Sequence, residues 1–226
     1  MTRKVLIFEV LMIAAALAVS AVLYPHLSVQ VPLHWYMHLH PDGSFPRWGA
    51  CLYNLGMLVL VSVLTRLLPW ISPKDFQVDT FRSTYRPLML FIFLFVYCIH
   101  AATLWAGLGH VADAGKIIGV MFCLGYIYFG NALGKIRRNF FIGVITPWTL
   151  TNQRVWYATH RFASRVWLLA GLLGLVLVSF GFNLSFTATL LVSLYGTKLY
   201  SLVLYKIMER RGEIDRGQSV EPEGTI

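Results

Sequence analysis

Four residues in one short stretch raise the first chemical question: His34, His38, His40 and Asp42. His34 and His38 are four apart and would share a face on a helix, and neutral imidazole is a common metal ligand. His34, His38 and His40, with Asp42, therefore form a candidate zinc or copper site. The spacing permits a metal without demanding one. No HExxH pattern supplies a catalytic base, and Pro32, Pro41, Pro46 and Gly43 argue against a continuous helix here. The competing expectation is a folded cap in which Trp35, Tyr36 and Trp48 lie at the level of lipid headgroups and the histidines satisfy loop hydrogen bonds. In that reading His34, Trp35 and Asp42 form an outer site that meets a peptide or a lipid.

A second constellation is Glu9 with Lys198, both set in apolar runs. A buried Glu9 to Lys198 pair would be the natural substrate or proton site of a small-solute or lipid transporter. Each residue also has a cheaper option, which is to snorkel to the nearby headgroups. Asn54, Asn131 and Thr189 are isolated polar groups expected to bond between helices. Cys51, Cys98 and Cys123 show no paired spacing and read as small buried hydrophobes. No nucleophile, phosphate-binding loop or acid/base pair is identifiable, so the chain is expected to act without chemistry and without a cofactor, zinc excepted. A metal-dependent membrane enzyme centred on His34 and His38 is the enzymatic alternative.

The elements that must carry these residues follow from composition. Of 226 residues, 57% are hydrophobic and 13% charged, against roughly a quarter charged in a soluble domain. So few charges cannot cover a soluble surface, and the chain belongs in a membrane. The net charge of +9 does not signal nucleic acid, because long apolar runs separate the cations. Six runs are long enough to cross a hydrocarbon layer: Val5 to Leu23, Cys51 to Leu68, Leu88 to Leu108, Ile117 to Leu133, Val166 to Phe182 and Leu184 to Tyr205. The first follows Thr2-Arg3-Lys4 and resembles a signal peptide, but its apolar run exceeds the usual signal core and it is read as retained. The expected fold is an all-α integral membrane protein of six spans. It divides into 1–113 (spans one to three with the outer loop), 114–208 (spans four to six) and a disordered tail, 209–226.

Orientation follows from where lysine and arginine fall. Sixteen of the nineteen lie before span one, in the second and fourth connections, or in the tail, while Arg47 and Lys116 are on the other side and Lys198 is within span six. Both termini are therefore expected to be cytoplasmic, and six of the seven histidines fall outside. The fourth connection holds Lys135, Arg137, Arg138, Arg154, Arg161 and Arg165. After Pro147 a helix is expected to start at Thr151 or Asn152, with Arg154, Arg161 and Arg165 on one edge and Val155, Trp156, Phe162 and Trp167 opposite. Such an amphipathic segment before span five can lie on anionic headgroups or dock a cytoplasmic protein. Gly130 with Gly134, and Gly115 with Gly119, make small-xxx-small pairs expected to serve internal packing.

The run Asn131 to Trp167 includes Gly134-Lys135-Ile136-Arg137, Asn139-Phe140-Phe141, Thr146-Pro147-Trp148-Thr149-Leu150 and Thr159-His160-Arg161. It resembles the signature of the SdpI family of bacterial membrane proteins. Val31-Pro32-Leu33-His34-Trp35, followed by Pro41-Asp42-Gly43, resembles the DUF1648 segment that precedes it there. The resemblance implies an immunity and signalling protein of the bacterial inner membrane. Such a protein would meet a secreted peptide toxin outside and hold a transcriptional repressor inside. By position it assigns Lys135, Arg137, Arg138, Asn139, Trp148, Arg154, Arg161 and Arg165 to a surface facing a partner or headgroups. The chain departs from the pattern at Ile145, where the family commonly has arginine.

Overall fold

The computed structural model describes residues 3–35 and 41–214, with the backbone alone at positions 41 and 42. Six long helices dominate: α1 (Arg3–Leu23), α2 (Arg47–Ile71), α3 (Arg82–Gly107), α4 (Val111–Leu133), α6 (Gln153–Ser179) and α7 (Asn183–Arg210), with a short α5 (Pro147–Thr151) before α6. All six are long and apolar enough to cross a membrane. The amphipathic stretch and span five form one continuous helix, α6, and the Asn152 side chain caps it by accepting from the Arg154 and Val155 amides.

In α1, α2 and α7 polar side chains turn inward while large apolar ones face outward. The buried residues of α1 are Glu9, Ala16 and Ser20, while Leu11 and Val22 are exposed. Likewise α2 buries Asn54, Ser62 and Thr65, and α7 buries Ser193, Thr197 and Ser201. In hydrocarbon the apolar residues lose nothing by facing outward, so small and polar side chains take the interior, where helices approach closely. Gly130 and Gly171 show how close: a Cβ at Gly130 would lie 2.7 Å from the Leu168 amide nitrogen, and one at Gly171 would lie 2.8 Å from the Cys123 carbonyl. Ser164 donates to the Gly130 carbonyl across the same seam. The Gly130 pair thus serves packing of α4 on α6, as its spacing predicted. All three cysteines are free thiols.

The segment between α1 and α2 holds an element that periodicity did not identify. β1 (Gln30–Trp35) and β2 (Pro41–Pro46) pair antiparallel, with Val31 opposite Phe45 and His34 opposite Gly43, and the register shifts around His34. Prolines are tolerated because a two-stranded ribbon has only edges. The hairpin is tied to the bundle by Ser28 N–H donating to the Gly107 carbonyl and Arg47 N–H to that of Val29. Beneath it pack Leu27, Val31, Ala50, Cys51 and Leu104. A larger apolar cluster, including Leu58, Leu88, Phe93, Leu133, Ile136 and Trp156, fills the opposite end, where most of the cations lie.

Candidate functional site

The connection from Gly134 to Thr146 has no regular secondary structure, yet its interior is ordered by side chains. Asn139 is fully buried and uses all of its amide: Nδ2 donates to the carbonyls of Arg137 and Ile142, and Oδ1 accepts from the amides of Phe141 and Ile142. That closes a turn which helix or sheet would otherwise have to satisfy. From α6, the Trp156 indole donates to the Ile136 carbonyl at 2.9 Å. His160 stacks on Trp156, accepts at Nε2 from the Val144 amide at 3.0 Å, and meets the Trp156 carbonyl through Nδ1 at 2.8 Å. An amide can only donate and a carbonyl only accept, so the ring is the neutral tautomer with its proton on Nδ1.

The same side chain sets the backbone at Gly143. Its φ is +126°, and a Cβ there would fall on His160 Nε2. Beyond it, Thr146 and Thr149 form a reciprocal capping box for α5, Thr149 Oγ1 donates to the Val144 carbonyl, and Thr146 Oγ1 meets Ser201 Oγ of α7 at 3.0 Å. Arg138 donates to the Leu150 carbonyl and lies over the Phe76 ring, which packs on Phe140. The polar residues of this segment thus act as a latch joining the connection to α6 and α7.

The residues expected to face a partner therefore divide. Asn139 and Arg138 serve the latch, and Trp148 is half-buried beside it, whereas Lys135, Arg137, Arg154, Arg161 and Arg165 are exposed. Ile145, at the position of the absent arginine, is half-buried. His160 was visible only as part of the motif; nothing in its spacing marked it as the residue that fixes Gly143.

One expectation changes. Glu9 does not pair with Lys198. Its carboxylate, 1% exposed, accepts from Ser62 Oγ at 2.6 Å and pairs with Arg66 at 2.9 Å, while Lys198 is exposed and lies over the Tyr195 ring. Arg66 reaches Glu9 because Ser62 and Arg66 stand one turn apart on α2, and Arg66 also donates to the Ser62 carbonyl and hydroxyl. Of the metal candidates, His38 and His40 lie outside the described residues, as does the Asp42 side chain. Among the described residues no group of three His, Cys, Asp or Glu could hold a metal.

At the hairpin end, His34 and Trp35 line a cavity of about 300 Å3 together with Tyr53 and Asn54 of α2, Phe95 and Ile99 of α3, and Phe122 of α4. Trp35 and Asn54 each hold a buried donor, Nε1 and Nδ2, with no hydrogen-bond partner among the described residues. Asn54 was expected to bond between helices; buried at 3% exposure, it is instead one of the residues lining this space. Phe95 and Phe122 also line a wholly apolar groove of about 420 Å3 running along α3 and α4. A deeper histidine, His100, shares a hydrogen bond with Ser20, whose hydroxyl donates to the Ala16 carbonyl.

Comparison with known proteins agrees with this arrangement. The SdpI/YfhL protein family matches residues 135–203, which begin at the latch, and the domain of unknown function DUF1648 matches residues 11–58, which contain the hairpin. The chain is similar to the Immunity protein SdpI of Bacillus subtilis (strain 168), 26% identical over 77% of this chain and 81% of that protein. No solved structure matches it. With six membrane-length helices, a DUF1648 segment and then an SdpI/YfhL segment, the chain is a bacterial multi-pass membrane protein that resembles the SdpI family in both its parts.

Proposed function

We propose that this protein protects its cell from a secreted peptide toxin by binding it, without catalysis, from an inner-membrane position with both termini cytoplasmic. The similarity to an immunity protein and the sixteen cations assigned to one side support the class and the orientation. The observation that carries the reading is the cavity beneath the hairpin. A buried donor without a partner costs roughly 1–3 kcal/mol, which an incoming acceptor relieves. Trp35 Nε1 and Asn54 Nδ2 are neutral donors, suited to the neutral carbonyls of a peptide, and the aromatic walls suit its apolar side chains.

In a toxin-sensitive bacterium, wild-type protein is expected to raise survival against the cognate peptide. Trp35→Phe combined with Asn54→Leu is expected to lose most of that protection at equal membrane abundance. Full protection by the double variant overturns the cavity as the toxin site, and no protection by wild type overturns immunity.

A second role rests on a separate observation. Lys135, Arg137, Arg154, Arg161 and Arg165 are all exposed on and beside a connection that the latch holds in one shape. Such a surface can hold anionic headgroups or a transcriptional repressor, and the signalling half of the proposal assigns it to the repressor. A photocrosslinker at Arg154 or Arg161 is expected to capture one cytoplasmic protein in living cells. Capture of lipid alone counts against it.

A further inference from the structure

At the basic end of the bundle a cavity of about 160 Å3 opens between the last turns of α2 and the first turns of α3, lined by Thr65, Arg66, Pro69, Arg82, Tyr85 and Arg86. Three guanidinium groups around one small space repel one another unless negative charge lies among them. Two carboxylates are nearby and both are engaged: Glu9 pairs with Arg66 at 2.9 Å, and Asp79 with Arg82 at 2.7 Å. Arg86 has no hydrogen-bond or ion-pair partner among the described residues. The cavity is therefore left with one uncompensated cation.

Its other walls also favour an anion. Carbonyls in the second half of α2 would repel negative charge, and three of them are covered. Thr65 O accepts from the Tyr85 hydroxyl at 2.9 Å, Ser62 O from Arg66, and Leu68 O from Ser72. On the other side stands the first turn of α3, which has no side-chain cap; a helix N-terminus carries partial positive charge. Guanidinium groups match the oxygens of a phosphate through paired N–H bonds. Trp70, beside Pro69, is 82% exposed, which fits an aromatic residue at headgroup level.

We propose that this cavity binds a phosphate group, held by Arg66, Arg82 and Arg86, and that the group is the headgroup phosphate of an anionic phospholipid. The site would pin α2 to α3 at the membrane surface and would touch Glu9 of α1 through Arg66. It is independent of the toxin-binding and repressor-holding roles, whose residues lie elsewhere.

Full-length protein in detergent is titrated with short-chain phosphatidylglycerol, with short-chain phosphatidylcholine, and with sodium phosphate against sodium chloride at equal ionic strength. Binding is read by native mass spectrometry and by the thermal shift. Phosphatidylglycerol is expected to bind more tightly than phosphatidylcholine, and roughly tenfold more weakly to Arg86→Gln, as for loss of one charge-assisted contact. Arg210→Gln, an exposed cation at the same end, is expected to bind as wild type does. Binding of inorganic phosphate alone, with the same Arg86 dependence, supports the phosphate site and overturns the headgroup source. Equal weakening in Arg210→Gln, or no dependence on Arg86, overturns the site.

Discussion

Gly143→Ala is expected to be among the most damaging small substitutions in the chain. Two costs combine. The backbone at Gly143 has φ +126°, a conformation strained for any residue with a Cβ, and that Cβ would collide with His160 Nε2. Displacing the imidazole breaks its bond from the Val144 amide and loosens its stack on Trp156, both buried. Together these are worth about 3–5 kcal/mol, or a fall of order 10 °C in the melting temperature. Thermal denaturation of purified protein in detergent measures it. Gly143→Ala with His160→Ala is expected to recover only part of the loss, because removing the ring relieves the collision but not the backbone strain. A melting temperature unchanged by Gly143→Ala would show that the connection is not latched as described.

The second large effect is an asymmetry at Glu9 and Arg66. Glu9 is enclosed by protein, whereas the Arg66 side chain is about a third exposed at 31%. Arg66→Leu leaves a carboxylate enclosed with only the Ser62 hydroxyl for company, at a cost of about 3–5 kcal/mol. Glu9→Leu leaves an arginine that can extend toward the headgroups, at about 1 kcal/mol or less. The double variant, with leucine at both positions, is expected to lie near wild type, since replacing both members of an enclosed pair by apolar groups is often close to neutral. Melting temperatures of the four proteins form a double-mutant cycle, and additive losses would refute the pair. Lys198→Leu is expected to change little, because Lys198 is exposed and, among the described residues, meets the Tyr195 ring alone.

The spans were legible because hydropathy averaged over about twenty residues is enough to identify them. Helix ends were legible where local chemistry marks them, as at Asn152, whose side chain caps α6, and at Gly181, whose φ of +77° makes the turn into α7. The hairpin was not. Val31-Pro32-Leu33-His34-Trp35 is interrupted by Pro32, with Pro41 beyond, and its pairing depends on a partner strand and on a floor supplied by α2 and α3. Asn139 was read as surface and His160 was visible only as part of a motif; their burial comes from α6 folding back over the connection.

By itself the sequence determined that this chain lies in a membrane, that it crosses six times, and which connections are basic. These are one-dimensional properties, carried by average hydropathy and by charge counts along the chain. Only the tertiary structure decided that Glu9 meets Arg66, that Asn54 and Trp35 border one cavity, and that the basic connection is latched by His160. Each depends on which face of a helix is turned inward and on which distant helix stands against it. In hydrocarbon the apolar faces give little guidance, because lipid and protein interiors are alike to them, and small and polar residues choose the neighbours instead.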